Sequence, residues 1–125
     1  MDRLGQAMAR INREGGYLAL LYIDLDGFKQ IIDSYGHDVG DKVLITVTQR
    51  MKQALRNTDT IARMGGDEFI VVLPKFTLQT MVITPVKNLL KACSTPILEQ
   101  SFTLTITASI GVSLYGRESA QQGLE

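Results

Sequence analysis

Hydrophobic residues recur at helical spacing in three segments of this sequence. They repeat every three or four positions in residues 4–13, 38–56 and 78–92, which is the pattern of a helix with one apolar face. Pro85 interrupts the last of these segments, and a proline inside a helix breaks or kinks it. We therefore predict three helices, the last of them restarted with Thr84 as its N-cap and Pro85 at its first position.

Two further segments have the patterns of β-strands. Residues 17–23 form an unbroken apolar run between glycine and Asp24, which is typical of a strand buried on both faces. Residues 102–114 alternate strictly between apolar and polar or small residues, which is typical of a strand with one buried face. The first run predicts a central strand of the parallel type, and the second predicts one long strand.

A β-hairpin is predicted where two short segments, residues 60–64 and 69–73, flank the glycine pair at 65–66. Pro74 follows and is expected to end the second strand. With a short helix that begins near Phe28, the predicted order is α-β-α-α-β-β-α-β. This order indicates an α/β (α+β) fold, in which helices pack on a central mixed sheet that includes the hairpin.

The composition narrows the class of protein. A chain of 125 residues is long enough for one hydrophobic core and too short for two, so a single domain is expected. Its 13 basic and 13 acidic residues give a formal net charge of zero, which argues against a nucleic-acid partner. The single cysteine, Cys93, cannot form an internal disulfide. Since the longest apolar run is about a third of a membrane-spanning length, we expect a cytoplasmic domain without membrane contact from this segment.

Two aspartates stand at the end of the predicted central strand. Asp24 and Asp26 are two positions apart, so their side chains lie on the same face of the sheet. Two ionised carboxylates at this spacing repel each other unless a cation joins them, and Mg²⁺ is commonly held by one or two carboxylates together with substrate phosphates. The alternative is that either aspartate caps the helix that begins near Phe28. Of the two roles, metal ligand is the better interpretation for Asp24, and helix cap is the better interpretation for Asp26.

An acidic pair follows the glycines of the predicted hairpin. Asp67 and Glu68 come directly after Gly65 and Gly66, and glycines allow a phosphate or ribose to approach the backbone closely. The two carboxylates either bind a metal on such a ligand or only keep the hairpin soluble. If the hairpin pairs beside the central strand, Asp67 or Glu68 comes near Asp24 and completes a carboxylate cluster.

Together these motifs resemble those of the GGDEF family of diguanylate cyclases. Residues 65–69 spell Gly-Gly-Asp-Glu-Phe, and they stand at the family's distance from the segments 24–29, 33–41 and 108–112. The match covers nearly the whole chain. It implies a palm-like fold related to nucleotide cyclases and polymerases, with GTP bound across the hairpin and a divalent metal held by carboxylates.

The resemblance also implies roles for individual residues. Asp24 and Asp67 correspond to metal ligands, with the backbone carbonyl of Leu25 assisting, and the metal is Mg²⁺ or Mn²⁺. Glu68 either binds the metal or helps to deprotonate the attacking 3′-hydroxyl of the nucleotide. Catalysis is therefore expected to depend on Asp67 and Glu68.

Nucleotide-binding residues are implied in the same way. The backbone amides around Phe28 and Lys29 resemble a phosphate-binding turn at a helix start, and Gly66 is expected to lie against the nucleotide. Asp41 resembles the residue that reads the guanine edge, although an aspartate near a helix start is often only a cap. His37 has no partner in the sequence that would make it a base, and we expect it to be structural.

The implied reaction condenses two GTP molecules into cyclic di-GMP and releases pyrophosphate. Each domain of this family binds one GTP, so catalysis implies a two-fold homodimer, which can be transient. Other domains of a longer parent protein are further implied partners. Residues 1–125 are accordingly expected to be a GGDEF domain that is incomplete at both ends.

A separate site is implied by Arg56 and Asp59, an R-x-x-D motif that ends shortly before Gly65. It resembles the inhibitory site at which the family binds its product, cyclic di-GMP. Arginine can bind phosphate or stack on guanine, and aspartate can accept a hydrogen bond from a guanine edge. The alternative is ordinary surface pairing near a helix end.

One position departs from the family pattern. Ile32 stands where the family has an asparagine that hydrogen-bonds guanine, and an aliphatic side chain cannot make those bonds. Two functions therefore stay open. The first is an active diguanylate cyclase. The second is a degenerate GGDEF domain that binds GTP or cyclic di-GMP and regulates an attached domain, such as an EAL phosphodiesterase.

Overall fold

The computed structural model describes residues 2–99 and 101–117. The helices are α1 (Arg3–Glu14), α2 (Phe28–Tyr35), α3 (His37–Ala54) and α4 (Ile83–Ser94), with a 3₁₀ turn at Gln79–Val82 before α4. The strands are β1 (Gly16–Asp26), β2 (Thr60–Gly65), β3 (Glu68–Phe76), β4 (Ile97–Glu99), β5 (Phe102–Leu104) and β6 (Thr107–Arg117). The predicted order of elements is confirmed, with the small hairpin of β4 and β5 added before the last strand.

The main sheet has the strand order β2-β3-β1-β6, and each of its pairs is antiparallel. The predicted α/β (α+β) fold with packed helices is confirmed. The described strands nevertheless form an antiparallel sheet, where a mixed one was predicted. A long apolar run reports burial on both faces and says nothing about the direction of the neighbouring strands.

β1 is buried on both faces only in its first half. There Leu18 packs with Ala7 and Ile11 of α1, while Leu21 faces the main core on the other side of the sheet. From Tyr22 onward, exposed and buried residues alternate, because the cluster formed with α1 does not continue along the strand. The C-terminal end of β1 is therefore open to solvent on one face, which leaves room for a site.

The main core lies between the sheet and helices α2, α3 and α4. Its most deeply buried side chains include Ile23, Val43, Val47, Met51, Phe69, Val71 and Leu89. Burying one side chain of this size contributes about 1.5–3 kcal/mol, so the helices are held firmly on the sheet. None of the helices in the described ranges combines the length and the apolar character needed to cross a membrane.

Pro74 does not end β3, which continues to Phe76. The pairing of β3 with β1 is irregular at this point, because Tyr17 lies opposite Phe76 whereas Ala19 lies opposite Leu73. At such an irregularity, one residue makes no backbone hydrogen bond to the neighbouring strand. The N–H group that proline lacks is therefore not needed here, and the strand passes through Pro74.

α4 begins earlier than predicted. Its N-cap is Val82, whereas Thr84 was predicted, and Pro85 is the third residue of the helix. The first N–H groups of a helix have no partner within it, so a proline in the first turn removes no hydrogen bond. The predicted restart is confirmed by the 3₁₀ turn that precedes the helix.

The long strand predicted for residues 102–114 is in fact two strands. β5 ends at Leu104 and pairs with β4, whereas β6 begins at Thr107 and pairs with β1. Leu104 and Ile106 are both buried, so the apolar alternation continues across the break. Alternation reports which face is buried, and it does not report which strand a segment pairs with.

Candidate active site

The register of β1 and β3 brings the predicted acids together. Asp24 lies opposite Glu68 in this pair, and the Leu25 N–H donates a hydrogen bond to the Asp67 carbonyl oxygen at 3.1 Å. The Asp24 and Asp67 carboxyl groups lie within hydrogen-bonding reach of each other. The predicted approach of the hairpin acids to Asp24 is therefore confirmed.

The pKa of Asp24 is raised above its ordinary value. Partial removal from water is the largest cause, followed by the negative charges of Asp67 and Asp26 and by the hydrogen bond with Asp67. A cation between Asp24 and Asp67 removes this repulsion, and Mg²⁺ is commonly held by one or two carboxylates together with substrate phosphates. The Asp24–Asp67 pair and the neighbouring Leu25 carbonyl therefore fit a divalent cation.

The Asp26 carboxylate is bound by the neighbouring strand β6. Its carboxylate accepts hydrogen bonds from Thr107 Oγ1 and Ser109 Oγ, each at 3.0 Å. The predicted role of Asp26 as a cap is wrong, since the N-cap of α2 is Gly27 and no side chain caps this helix. Within residues 2–99 and 101–117, no three His, Cys, Asp or Glu side chains are grouped so that they could hold a metal. The carboxylate cluster is therefore a pair.

The start of α2 presents backbone N–H groups next to the acids. Gly27 has a φ of +79°, in the left-handed region that favours glycine, and the first helical bond runs from the Ile31 N–H to the Gly27 carbonyl at 3.2 Å. The N–H groups of Phe28 and Lys29 precede that bond and have no side-chain cap. The Phe28 side chain is buried in the core, so Phe28 can offer only its backbone to a ligand. An uncapped helix start of this kind favours an anion.

The glycine pair forms the tip of the β2–β3 hairpin. A side-chain carbon added at Gly66 meets no heavy atom within 4 Å, so the space beside this residue is open to a ligand. Arg63 Nε donates a hydrogen bond to the Gly66 carbonyl at 2.8 Å. This contact was not predicted, because the sequence places an arginine on a strand without showing where its side chain bends.

Asp41 and Ile32 lie on the two helices that follow β1. Asp41 is an exposed residue in the second turn of α3, whose N-cap is Gly36, so Asp41 is not a cap. Ile32 packs from α2 against α3, since a side-chain carbon added at Gly40 lies 2.8 Å from Ile32 Cγ1. Ile32 therefore packs between α2 and α3 at Gly40, the residue before Asp41. His37 is exposed at the first position of α3.

Arg56 and Asp59 form a close pair beside a cleft. Arg56 Nη2 lies 3.1 Å from Asp59 Oδ1, and the Arg56 backbone N–H donates to Asp59 Oδ2 at 2.7 Å. The Arg56 guanidinium also lies 5.4 Å from the centre of the Phe76 ring. These three residues line a cleft of about 640 Å³, together with Pro85 and Asn88. The spacing of the R-x-x-D motif did not indicate the aromatic ring.

A family model described as the GGDEF domain of diguanylate cyclases matches residues 1–124. This chain belongs to the GGDEF domain family of diguanylate cyclases. The resemblance implied by the motifs is therefore confirmed over nearly the whole sequence.

Two curated relatives come from Pseudomonas aeruginosa. The bifunctional diguanylate cyclase/cyclic di-GMP phosphodiesterase MucR is 41% identical over 114 residues, which cover 91% of this GGDEF chain and 16% of MucR. The diguanylate cyclase DgcP is 38% identical over 127 residues, which cover 99% of this chain and 19% of DgcP. The chain therefore spans less than a fifth of the length of these two relatives.

Solved GGDEF domains share the fold. The GGDEF domain of TpbB from Pseudomonas aeruginosa has a TM-score of 0.85 at 37% identity, over 90% of this chain and 66% of that one. The GGDEF domain of DgcB from Caulobacter crescentus, solved in complex with c-di-GMP, has a TM-score of 0.81 at 27% identity, over 91% and 68%. The diguanylate cyclase SiaD from Pseudomonas aeruginosa was solved with its activator SiaC, and it has a TM-score of 0.82 at 33% identity, over 98% and 48%.

Proposed function

We propose that this GGDEF domain is the catalytic part of a diguanylate cyclase, which condenses two GTP molecules into cyclic di-GMP and releases two pyrophosphates. The observation that carries the proposal is the approach of the Asp24 and Asp67 carboxyl groups at the open end of β1. The uncapped start of α2 follows directly along the chain. Carboxylates for a cation and free N–H groups for phosphates are the two requirements of a site for a metal-bound nucleotide.

In this proposal, Asp24, Asp67 and the Leu25 carbonyl hold Mg²⁺ or Mn²⁺. When bound, the cation would neutralise the negative charge that develops on the phosphates. Glu68 lies opposite Asp24 on the neighbouring strand. It either adds a further ligand or accepts the proton of the 3′-hydroxyl as that oxygen attacks.

The nucleotide is held by backbone more than by side chains. The N–H groups of Phe28 and Lys29 bind the phosphates, and the open space beside Gly66 admits the nucleotide to the hairpin tip. Asp41 accepts a hydrogen bond from the guanine edge, for which its exposed position on α3 is suitable. Ile32 makes an apolar contact in place of a polar one on that side of the base.

The reaction is two phosphoryl transfers. In each, the 3′-oxygen of one GTP bonds to the α-phosphorus of the other, and the bond from that phosphorus to the bridging oxygen of the β-phosphate breaks. Pyrophosphate leaves with the electron pair of the broken bond. One domain holds one GTP, so two copies must meet face to face, as a two-fold dimer that forms at least during catalysis.

The cleft beside Arg56, Asp59 and Phe76 is proposed as a second site, which binds cyclic di-GMP and inhibits the enzyme. The guanidinium over the Phe76 ring can bind phosphate, and the Asp59 side chain, 2% exposed, is a fixed acceptor. The structure of the DgcB domain in complex with c-di-GMP supports binding of this ligand by a related domain.

A degenerate domain that only binds nucleotide is the second candidate. The observation that favours it is Ile32, because its side chain is committed to the packing of α2 on α3 and offers no polar group to guanine. Such a domain would regulate an attached domain, and MucR combines both activities of cyclic di-GMP turnover in one longer protein.

Isothermal titration of the purified 125-residue chain tests the proposal. The wild type, Asp67→Asn and Arg56→Ala are each titrated with Mg–GTP and, separately, with cyclic di-GMP. We expect Asp67→Asn to lose only Mg–GTP binding and Arg56→Ala to lose only cyclic di-GMP binding. Formation of cyclic di-GMP from GTP by the wild type then separates the active cyclase from the degenerate domain. If Asp67→Asn binds Mg–GTP as tightly as the wild type, the acidic pair does not bind the nucleotide's metal, and this rejects its role in both candidate functions.

A further inference from the structure

Arg63 lies on β2 close to the glycine pair, and its side chain bends back to the hairpin tip. Its Nε donates a hydrogen bond to the carbonyl oxygen of Gly66 at 2.8 Å. That carbonyl belongs to the planar peptide unit that precedes Asp67. The arginine therefore fixes the orientation of this peptide unit.

The peptide unit that follows Asp67 is fixed from another side. Its carbonyl oxygen accepts a hydrogen bond from the Leu25 N–H at 3.1 Å, and Leu25 is the residue next to Asp24 on β1. The two peptide units that flank Asp67 are thus held independently, one by a side chain and one by backbone. Because each unit is planar, fixing both restricts the backbone dihedral angles of Asp67 itself.

The hairpin tip needs such a restraint for two reasons. Gly65 and Gly66 have φ angles of +158° and +51°, and the freedom that lets glycine adopt such angles also leaves a glycine pair loose. In addition, the Asp67 carboxylate has the same charge as that of Asp24, so repulsion favours movement of the tip away from β1. A hydrogen bond to the Gly66 carbonyl opposes both tendencies.

We propose that Arg63 is a positioning residue, which holds the Asp67 carboxylate beside Asp24 in a geometry ready for a divalent cation. The inference rests on the proposed function, in which these two carboxylates bind the cation of Mg–GTP. In the part of the chain that the structure describes, Arg63 makes no other side-chain hydrogen bond or ion pair. Its variants therefore remove one defined contact.

Hydrogen exchange tests the restraint without any ligand. Arg63→Met, which has no donor, is expected to speed exchange of the Leu25 amide about fivefold, the effect of one lost hydrogen bond, because the Asp67 carbonyl becomes free to move. Arg13→Met is the control, since it removes an equal charge from the last turn of α1 and should leave that amide unchanged. Unchanged exchange in Arg63→Met overturns the inference, whatever the domain binds.

Titration with Mg–GTP tests the consequence for the site. Arg63→Met and Arg63→Lys are both expected to bind about 10-fold more weakly, because methionine has no donor and the lysine Nζ lies one atom beyond the position of Nε. Cyclic di-GMP binding at Arg56 should not change. Full binding by Arg63→Lys would show that the arginine acts as a charge on the nucleotide, and this rejects the positioning role. If the wild type binds no Mg–GTP, the proposed function fails, and the exchange result alone decides on the restraint.

Discussion

Asp24 lies opposite Glu68 in the antiparallel pair of β1 and β3, and this register brings the Asp67 carboxyl within hydrogen-bonding reach of the Asp24 carboxyl. Two helices and a strand separate these acids along the chain. Without a cation, their like charges repel each other in the folded protein. The fold therefore holds the acidic pair together at a cost in stability.

Replacing Asp67 with asparagine is expected to stabilise the metal-free domain near pH 7. The raised pKa of Asp24 means that the folded protein favours the protonated carboxyl, so this penalty is absent below the ordinary pKa and grows as the pH rises above it. Removing the Asp67 charge recovers part of the penalty. Solvent screening at these exposed side chains limits the gain to about 0.3–1 kcal/mol.

Thermal unfolding of wild type and Asp67→Asn at several pH values checks this expectation. The gain should be largest at pH 7 and should shrink as the pH falls toward about 4, where carboxyl groups take up protons. Asp33→Asn removes an equal charge from the exposed side of α2 and is the control. An equal gain in Asp33→Asn would mean that net charge, and not the acidic pair, sets the effect.

Arg56 variants should separate the two ligand sites. Arg56→Ala is expected to weaken cyclic di-GMP binding by at least about 10-fold, the effect of a lost charge-assisted contact, and to leave Mg–GTP binding unchanged. Arg56→Lys keeps the charge but loses the planar group that lies over Phe76, so we expect an intermediate loss. Titration measures the binding of Mg–GTP and of cyclic di-GMP. Lys52→Ala, on the surface of α3, is the control. A matching loss in Lys52→Ala would indicate general charge attraction and no specific site.

Ile32→Asn is expected to raise the preference of the domain for GTP over ATP, because an amide can pair with the guanine edge that isoleucine leaves unbonded. The same change should lower the free energy of unfolding by about 1–2 kcal/mol, since a half-buried apolar contact between α2 and α3 is lost. Titration with both nucleotides and urea unfolding measure these effects. Ile32→Val keeps the apolar contact and should change neither, so an equal shift of preference in that variant would contradict the polar explanation.

Stability is expected to fall at alkaline pH through Cys93. Burial raises the pKa of this thiol to about 11, while a thiol in the unfolded chain titrates near about 8.5. The folded state therefore retains the proton when the unfolded chain has lost it, and stability is complete below pH 8.5 and declines as the pH rises toward 11. The loss should reach about 1–2 kcal/mol at pH 10.

Denaturant unfolding between pH 7 and 10 measures this decline. Cys93→Ala is less stable near pH 7 because it leaves a small cavity. Its stability should nevertheless fall less steeply above pH 8.5, because the titrating group is absent. Parallel curves for the two proteins would show that Cys93 does not cause the decline.

Elements that depend on neighbours in sequence were predictable, and elements that depend on a distant partner were not. The apolar stripes of α1 and α3 and the glycine tip of the hairpin were found because these patterns arise within a few residues. Pro74 and the break after Leu104 were misjudged, since both depend on how another strand lies alongside. For the same reason, the direction of the strands beside β1 was predicted wrongly.

The sequence by itself determined the family, the acids at the end of β1 and at the hairpin tip, and the R-x-x-D pair, because each is a motif with fixed local spacing. Only the tertiary structure decided that Asp67 approaches Asp24, that Ser109 holds Asp26, and that Arg63 holds the tip. These contacts join segments that are far apart along the chain. Their geometry follows from strand register and side-chain packing, which no local pattern encodes.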